Sequence, residues 1–192
     1  MTMLKKWMGH GLLWALGWRA EQLAPVPKRC IMIGHPHTSN WDFPIFIFTI
    51  WALDIPVCFL AKKSLFDSPF GWLFYALGGL PIDRTGGKNT VQSVAELFDG
   101  RDALVLGLSP AGTRKAAPHW RSGFYHMALT AGVPLVCGSL DYKARRGVVL
   151  GTVSLTGETG EDMDRLRTIY ATVDGRNPER VVPVRLASEM EE

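Results

Sequence analysis

The segment Gly34-His35-Pro36-His37-Thr38-Ser39-Asn40-Trp41-Asp42 is polar and lies between two apolar runs. The run before it, residues 30–33, is short and predicts a buried strand, whereas the run after it, residues 43–53, is long enough for a helix. A strand therefore leads into this loop and a helix follows it. If Asp42 lies in the first helical turn, the loop can fold back so that the Asp42 carboxylate meets the His37 imidazole.

The pair of His37 and Asp42 favours a general base. A carboxylate on one ring nitrogen fixes the tautomer and leaves the other nitrogen free to accept a proton. The same pair also suits a helix cap or a solvated ion pair, and together with His35 it suits a metal site. In an extended stretch, however, His35 and His37 face opposite ways, and the sequence has no other cluster of His or Cys that offers a further ligand.

Composition limits the class of protein. The chain has 192 residues, enough for one domain with a sizeable core. Apolar residues make up 47% and charged residues 20%, which excludes a disordered chain. The net charge of +3 comes without a long basic tract, so nucleic acid is not an expected partner. Cys30, Cys58 and Cys137 lie in apolar surroundings without CxxC spacing, which predicts free thiols of a cytosolic protein.

The amino-terminal segment is aromatic and basic. Residues 4–19 contain Trp7, Trp14 and Trp18, and two lysines stand near their start. The apolar stretch is shorter than the roughly 20 residues that span a bilayer, and its Gly and His residues argue against a signal peptide. We expect residues 1–24 to form an amphipathic segment on the membrane surface; a helix packed on the protein's own core is the alternative.

The remainder, residues 25–192, predicts one α/β domain with a mixed, mostly parallel central sheet flanked by helices. In such a sheet the polar loops at the strand ends form the site. The aromatic runs 43–53 and 66–75 add apolar surface beside the amino-terminal segment. Predicted strands lie at 57–61, 103–106, 134–140 and 148–155, with a short strand and loop at 80–84. Predicted helices lie at 64–77 with a break at 68–69, 88–98, 123–131 and 161–173.

Two further loops carry polar residues. One supplies Arg84, and the other supplies Gly112, Thr113 and Arg114. A base, two arginines and a tight Gly turn suit an alcohol that carries a phosphate, because Arg binds phosphate through a planar fork and Gly lets the backbone approach a ligand. Surface salt bridges and a plain turn are the alternatives. Residues 107–112 do not match the G-x-S-x-G elbow, which argues against a serine nucleophile.

Four blocks in order give the chain a family resemblance. His37 to Asp42 matches an H-x4-D motif, residues 78–84 follow a segment at 61–66, residues 110–114 are similar to P-E-G-T-R, and residues 133–136 form an apolar strand with a Pro. The ordered set, which spans residues 35 to 136, resembles the glycerolipid acyltransferases, of which bacterial lysophosphatidic acid acyltransferase (PlsC) is the best-known type.

The resemblance implies a reaction and its participants. His37 would deprotonate an acceptor hydroxyl, which attacks the thioester of acyl-CoA or acyl carrier protein, and Asp42 would orient His37. No covalent acyl-enzyme, cofactor or metal is needed, since the thioester is already activated. The partners would be the thioester donor, a lyso-lipid acceptor and the cytoplasmic surface of the inner membrane, with the protein peripheral or monotopic. The residues implied in acceptor binding are Lys63, Arg84, Gly112, Thr113 and Arg114.

Ala111 departs from the family pattern, which has Glu at this position. A carboxylate there could position Arg114 or bind the acceptor, and Ala can do neither. This leaves a second hypothesis, in which the chain is a catalytically impaired, lipid-binding member of the family. The sequence also places Asp141, Tyr142 and several basic residues after the fourth block, where they would contact a headgroup or CoA, or form a solvated loop.

Overall fold

The structure is a computed structural model that describes residues 2–82 and 90–190. Its centre is one sheet of seven strands in the order β1-β7-β6-β2-β5-β3-β4. The strands are β1 Arg19–Gln22, β2 Arg29–Gly34, β3 Val57–Lys62, β4 Gly79–Ile82, β5 Leu104–Leu108, β6 Leu135–Asp141 and β7 Arg146–Val153.

Strand direction is mixed but mostly parallel, as the sequence predicted. β2 lies between β5 and β6 and is parallel to both, and β5-β3-β4 continue in the same direction. β7 is antiparallel to β6, and β1 is parallel to β7. The carboxyl ends of β2, β5 and β6 therefore meet side by side at one edge of the sheet.

Helices cover both faces of the sheet. On one face, Cys30 and Met32 of β2 pack with α2; on the other, Ile31 and Ile33 pack with α5, α6 and α7. A strand covered on both sides is apolar at every position, which explains the uninterrupted run that preceded the polar loop. The helices are α1 Met3–Ala15, α2 Asp42–Ala52, α3 Lys63–Phe66, α4 Gly71–Ala76, α5 Thr90–Phe98, α6 Gly123–Ala131 and α7 Thr159–Tyr170, followed by 3-10 turns Pro178–Arg180 and Ala187–Met190.

Two local differences from the sequence prediction stand out. β1 was not predicted, because its residues Arg-Ala-Glu-Gln carry no apolar pattern and pair only with β7 at the sheet's edge. Trp18 lies beyond the end of α1 and packs against the Tyr142 ring, instead of extending the helix. The expected binding residue Arg84 lies outside the described residues. Cys30, Cys58 and Cys137 are free thiols, as predicted.

α1 packs on α2 through its small residue Gly9. A Cβ at Gly9 would lie 2.5 Å from the Ala52 backbone nitrogen and 2.7 Å from the Phe48 carbonyl oxygen. Gly9 and Leu13 are buried, whereas Trp7 and Trp14 are 72% and 81% exposed. The helix therefore rests on the protein along one narrow stripe and turns its aromatic side chains outward.

A second exposed aromatic group lies beside α1. The Lys5 ammonium lies 3.4 Å from the carbonyl oxygen of Ala76, the last residue of α4, so the two helices are neighbours. Among the helices of the described residues, none is long and apolar enough to cross a membrane. We call the exposed side chains of both helices the apolar surface; they are Leu4, Trp7, Met8, Trp14, Phe70, Trp72, Leu73 and Tyr75.

Two glycines of α1 test this packing. Gly9→Ala should destabilise the protein by about 1–3 kcal/mol, because the new methyl group overlaps backbone atoms of α2. Gly11→Ala should instead stabilise it by about 0.5–1 kcal/mol, because no atom lies within 4 Å of the added carbon and Ala is the better helix former. Urea unfolding of the two variants measures both changes. Equal effects of the same sign would contradict the α1–α2 contact.

Candidate active site

Strand order brings three loops together. The loop of His37 follows β2, the loop of Arg114 follows β5, and Tyr142 directly follows β6. Because β2 lies between β5 and β6, its loop is flanked by the other two. This is the position at which ligands bind in open α/β sheets, at the carboxyl ends of strands where the chain order changes direction.

His37 and Asp42 are in direct contact. The His37 Nδ1 lies 2.9 Å from Asp42 Oδ2, and Asp42 is the first residue of α2, as the sequence predicted. The His37 side chain is 29% exposed, whereas that of Asp42 is buried. When Nδ1 carries the proton and donates a hydrogen bond to Asp42, Nε2 presents a lone pair and can accept a proton from a ligand.

Asp42 accepts further hydrogen bonds. The amides of Thr38 and Ser39 donate to Oδ2 at 2.8 and 2.9 Å, and the Tyr142 hydroxyl donates to Oδ1 at 2.7 Å. Burial favours a raised pKa for the Asp42 carboxyl, but the hydrogen bonds from His37, Tyr142 and the two amides hold its pKa below the usual value. Asp42 is therefore a carboxylate at neutral pH.

A carboxy-terminal segment fastens the loop from outside. The backbone nitrogen of Asn177 donates to Thr38 Oγ1 at 3.1 Å, and the side-chain Nδ2 of Asn177 donates to the Thr38 carbonyl oxygen at 2.9 Å. Gly175 fits closely here, since a Cβ would lie 3.1 Å from Pro36 Cβ and from Thr38 Oγ1. Sequence reasoning missed Asn177, because no local signal links it to a loop about 140 positions earlier.

The polar cluster after β6 has two separate roles. Arg146, the first residue of β7, bonds to Asp141 of β6 at 3.2 Å and to Glu21 of β1 at 2.9 Å, which links these three neighbouring strands. Tyr142 instead bonds to Asp42. The sequence singled out this cluster without assigning it, and the structure divides it between sheet and site.

His35 lies on the other side of the loop. It is buried, with its ring edge-on to those of Trp120 and Tyr170 at centroid distances of 4.9 and 5.1 Å. Burial lowers the pKa of His35 to about 4, so the ring is neutral at physiological pH. Within residues 2–82 and 90–190, no three His, Cys, Asp or Glu side chains are grouped closely enough to hold a metal ion.

An apolar cavity extends from the His37–Asp42 pair along α2. Its volume is about 380 Å³, within the roughly 300–1,000 Å³ of ligand pockets. Side chains of α2 from Phe43 to Leu53 line one side, and the sheet lines the other. On the sheet side, Gly34, Gly107 and Gly138 of the three central strands line the cavity; we call them the glycine floor.

The loop after β5 has the expected tight turn. Gly112 has a positive φ of 63°, and a Cβ there would lie 3.0 Å from Arg121 Cδ, so the Arg121 side chain packs over it. The Thr113 hydroxyl accepts a hydrogen bond from the Lys115 amide at 3.1 Å. Arg114 is exposed and lines the cavity, while Lys63 is exposed at the first residue of α3.

Ala111 does not face the ligand cavity. Its side chain is 4% exposed and belongs to the apolar cluster on the opposite face of the sheet, together with Trp120 and Phe124. A glutamate at this position would have to enter that cluster or displace the loop. The missing carboxylate is therefore explained by packing at this site.

The chain matches a family model, described as Acyltransferase, over residues 19–140, which is more than half of its length. Its structure is similar to the crystal structure of the 1-acyl-sn-glycerophosphate (LPA) acyltransferase PlsC from Thermotoga maritima. The TM-score is 0.53, and the match covers 88% of this chain and 75% of that chain. The sequences are 18% identical, so this likeness concerns the fold. No curated protein sequence matches the chain.

Substitutions of two alanines in the loop after β5 test the burial of Ala111. Ala111→Glu should destabilise the fold by roughly 3 kcal/mol or more, because it buries a charge among apolar side chains. For a chain of this length that lowers Tm by about 10 °C. Ala116→Glu is the matched control, since Ala116 is exposed, and it should leave Tm nearly unchanged. Thermal unfolding followed by circular dichroism gives both values; equal Tm for the two variants would contradict the burial of Ala111.

Proposed function

Since the chain belongs to the family of glycerolipid acyltransferases, we propose that it moves a fatty acyl group from a thioester donor to a hydroxyl of a lysophospholipid or related lyso-lipid. The donor is acyl-CoA or acyl carrier protein. The observation that carries the proposal is the His37–Asp42 pair, 2.9 Å apart, at one end of an apolar cavity. A base beside an apolar space suits a substrate with one reactive polar end and one long hydrocarbon end.

In the proposed mechanism His37 is the general base. Its Nε2 removes the proton from the acceptor hydroxyl while the oxygen attacks the thioester carbonyl carbon. The carbon–sulfur bond then breaks, and the proton passes from His37 to the departing thiolate, so that the products are an ester and a free thiol. Asp42 stabilises the transient imidazolium, as its carboxylate state at neutral pH permits.

The acceptor's anionic group is proposed to bind at the loops beside the pair. Arg114 lines the cavity and is exposed, so its guanidinium can reach a phosphate. Arg84, Lys63, Gly112 and Thr113 remain proposed contacts, by resemblance to the family. A phosphate at this place favours 1-acylglycerol-3-phosphate among the lyso-lipids.

The acyl chain is proposed to lie in the cavity under α2. Phe46, Ile50 and Leu53 follow one another along the helix and line the cavity, and the glycine floor opposes them. Such a chain loses contact with water over its whole length, which contributes about 0.8 kcal/mol for each methylene group buried. The same burial holds the thioester at the His37 end.

Thiol release from acyl-CoA and from acylated acyl carrier protein, measured with a panel of acceptors, tests the proposed function. The panel contains lysophosphatidic acid, other lysophospholipids and lyso-aminolipids, and the acylated product is identified by mass spectrometry. Release that depends on an acceptor and yields its ester supports the proposal. Release without acceptor indicates a thioesterase, and no release with either donor overturns the proposal in favour of an impaired member.

That alternative, a lipid-binding member without turnover, rests on Ala111. The Ala111 side chain is buried in the apolar cluster and does not line the cavity, whereas the His37–Asp42 hydrogen bond is intact. This favours an active enzyme over the alternative. The acceptor panel separates the two.

His37→Ala should lower acyl transfer by about 10²–10⁴-fold, the usual contribution of a positioned base. His126→Ala is the control, because His126 is exposed on α6 and should keep full activity. Initial rates with the best acceptor of the panel, and Tm of each variant, provide the measurement. A folded His37→Ala protein with turnover near that of the wild type would exclude His37 as the base.

We also propose that α1 is the membrane-surface part of the expected segment 1–24, whose β1 belongs to the central sheet, and that the acyltransferase domain, expected at 25–192, works at the cytoplasmic surface of the inner membrane. The apolar surface supports this, because eight large exposed side chains on two neighbouring helices form a larger patch than scattered surface residues. Lys6 is exposed on α1, where it can meet anionic headgroups. A peripheral attachment would let a lyso-lipid reach the site from the bilayer.

Liposome flotation tests this attachment. Trp7→Ala combined with Trp14→Ala should weaken binding to phosphatidylglycerol-containing vesicles by at least about tenfold, since each indole buried in the interface contributes about 1.5 kcal/mol or more. Leu129→Ala combined with Met190→Ala removes exposed apolar side chains elsewhere and should bind like the wild type. Wild-type protein that stays in the lower fraction with all vesicles would argue against membrane attachment.

A further inference from the structure

We infer that Tyr142 is a positioning residue for the acyl transfer proposed above: its hydroxyl holds Asp42 in place and thereby aims His37 at the acceptor. The inference rests on the proposed function and adds to it a residue from outside the family pattern. The family model matches residues 19–140, and Tyr142 lies just beyond.

The two oxygens of Asp42 have different partners. Oδ2 meets His37 and the amides of Thr38 and Ser39, all of which belong to the same loop. Oδ1 accepts the Tyr142 hydroxyl at 2.7 Å, which comes from β6 on the far side of that loop. Rotation about the Cβ–Cγ bond moves both oxygens, so hydrogen bonds on both restrain the carboxylate more than hydrogen bonds on one. Tyr142 thus supplies the second point of attachment.

Tyr142 itself contacts two other segments of the chain, one between α1 and β1 and one after α7. The Trp18 ring packs edge-on to its ring at a centroid distance of 4.8 Å, and the Arg176 guanidinium lies 6.0 Å from the ring centroid. Its backbone amide donates to the Asp174 carbonyl at 3.0 Å. Trp18, Asp174 and Arg176 also lie outside residues 19–140. The support for Tyr142 therefore comes from segments outside the part of the chain that matches the family model.

Within residues 2–82 and 90–190, three titratable groups face Asp42 or its partners, and Arg114 lines the same cavity. His37 faces it from the loop, Tyr142 from the end of β6, and Arg176 from the segment after α7, where it lies between the rings of Trp41 and Tyr142 at 5.9 and 6.0 Å. Lys143 and Asp174 pair with each other at 4.0 Å, and both are exposed. Burial and the hydrogen bond to Asp42 raise the pKa of Tyr142, so its hydroxyl remains a proton donor throughout the useful pH range.

Tyr142→Phe tests the inference, because it removes the hydroxyl and keeps the ring. The matched control is Tyr125→Phe: the Tyr125 hydroxyl donates to a buried carboxylate, Asp162, at 2.8 Å on the other face of the sheet. Both variants lose one hydroxyl–carboxylate hydrogen bond, so both should lose stability. Only Tyr142→Phe should change the site.

We expect Tyr142→Phe to lower kcat about tenfold, the loss typical of one hydrogen bond to a charged group, with KM for donor and acceptor unchanged. The acidic limb of its kcat/KM profile should move to higher pH, because Asp42 then directs more of its charge to the His37 imidazolium and stabilises it. Tyr125→Phe should keep the wild-type kcat and the wild-type limb. A Tyr142→Phe enzyme with unaltered kcat and limb overturns the inference, and a raised KM alone would make Tyr142 a binding residue instead.

An NMR titration tests the positioning role of Tyr142 independently of whether the protein transfers an acyl group. Ring signals of His37, assigned with a His37→Gln variant, are followed through a pH titration of wild type, Tyr142→Phe and Tyr125→Phe without substrate. A titration that moves to higher pH in Tyr142→Phe alone supports the positioning role even if the wild type transfers no acyl group. Coincident titrations in all three proteins overturn it, whatever the activity.

Discussion

The buried carboxylate of Asp42 is the constraint on which the site depends. A charge in an apolar surrounding persists only when hydrogen bonds compensate for the lost hydration. Asp42 meets this requirement with four donors, contributed by the loop after β2 and by the residue after β6. The ionised carboxylate therefore connects the loop after β2 to the residue after β6. The same hydrogen bonds that stabilise its charge fix the geometry of His37.

Local sequence predicted the half of the site that is local. The apolar run before Gly34 and the run after Asp42 indicated a strand, a loop and a helix, and spacing alone brought His37 to Asp42. Tyr142 and Asn177 escaped prediction because their contacts join positions about 100 and 140 residues apart. β1 escaped it because its stability comes from pairing with β7 and not from its own polar residues.

The sequence motif and the structure give different interpretations of the small side chain at Ala111. Read as part of a motif, its small side chain suggests a lost functional group. In the structure its methyl group packs among apolar residues on the face opposite the cavity, so its size follows from the space available. Its neighbour Gly112 still forms the tight turn, and Arg114 lines the cavity. The motif therefore varies here at a residue that faces the core.

The glycine floor has a consequence for how the protein can change over generations. Gly34 and Gly138 lie opposite each other in the register of β2 and β6, and Gly107 lies beside Met32 on the next strand. These glycines lie on strands, whereas His37, Asp42 and Arg114 lie in the loops and the helix that follow the strands. On the proposed function, exchanges at Gly34 and Gly138 would alter how much hydrocarbon fits without replacing a residue of the His37–Asp42 pair, so selectivity for the acyl group and catalytic power could change independently.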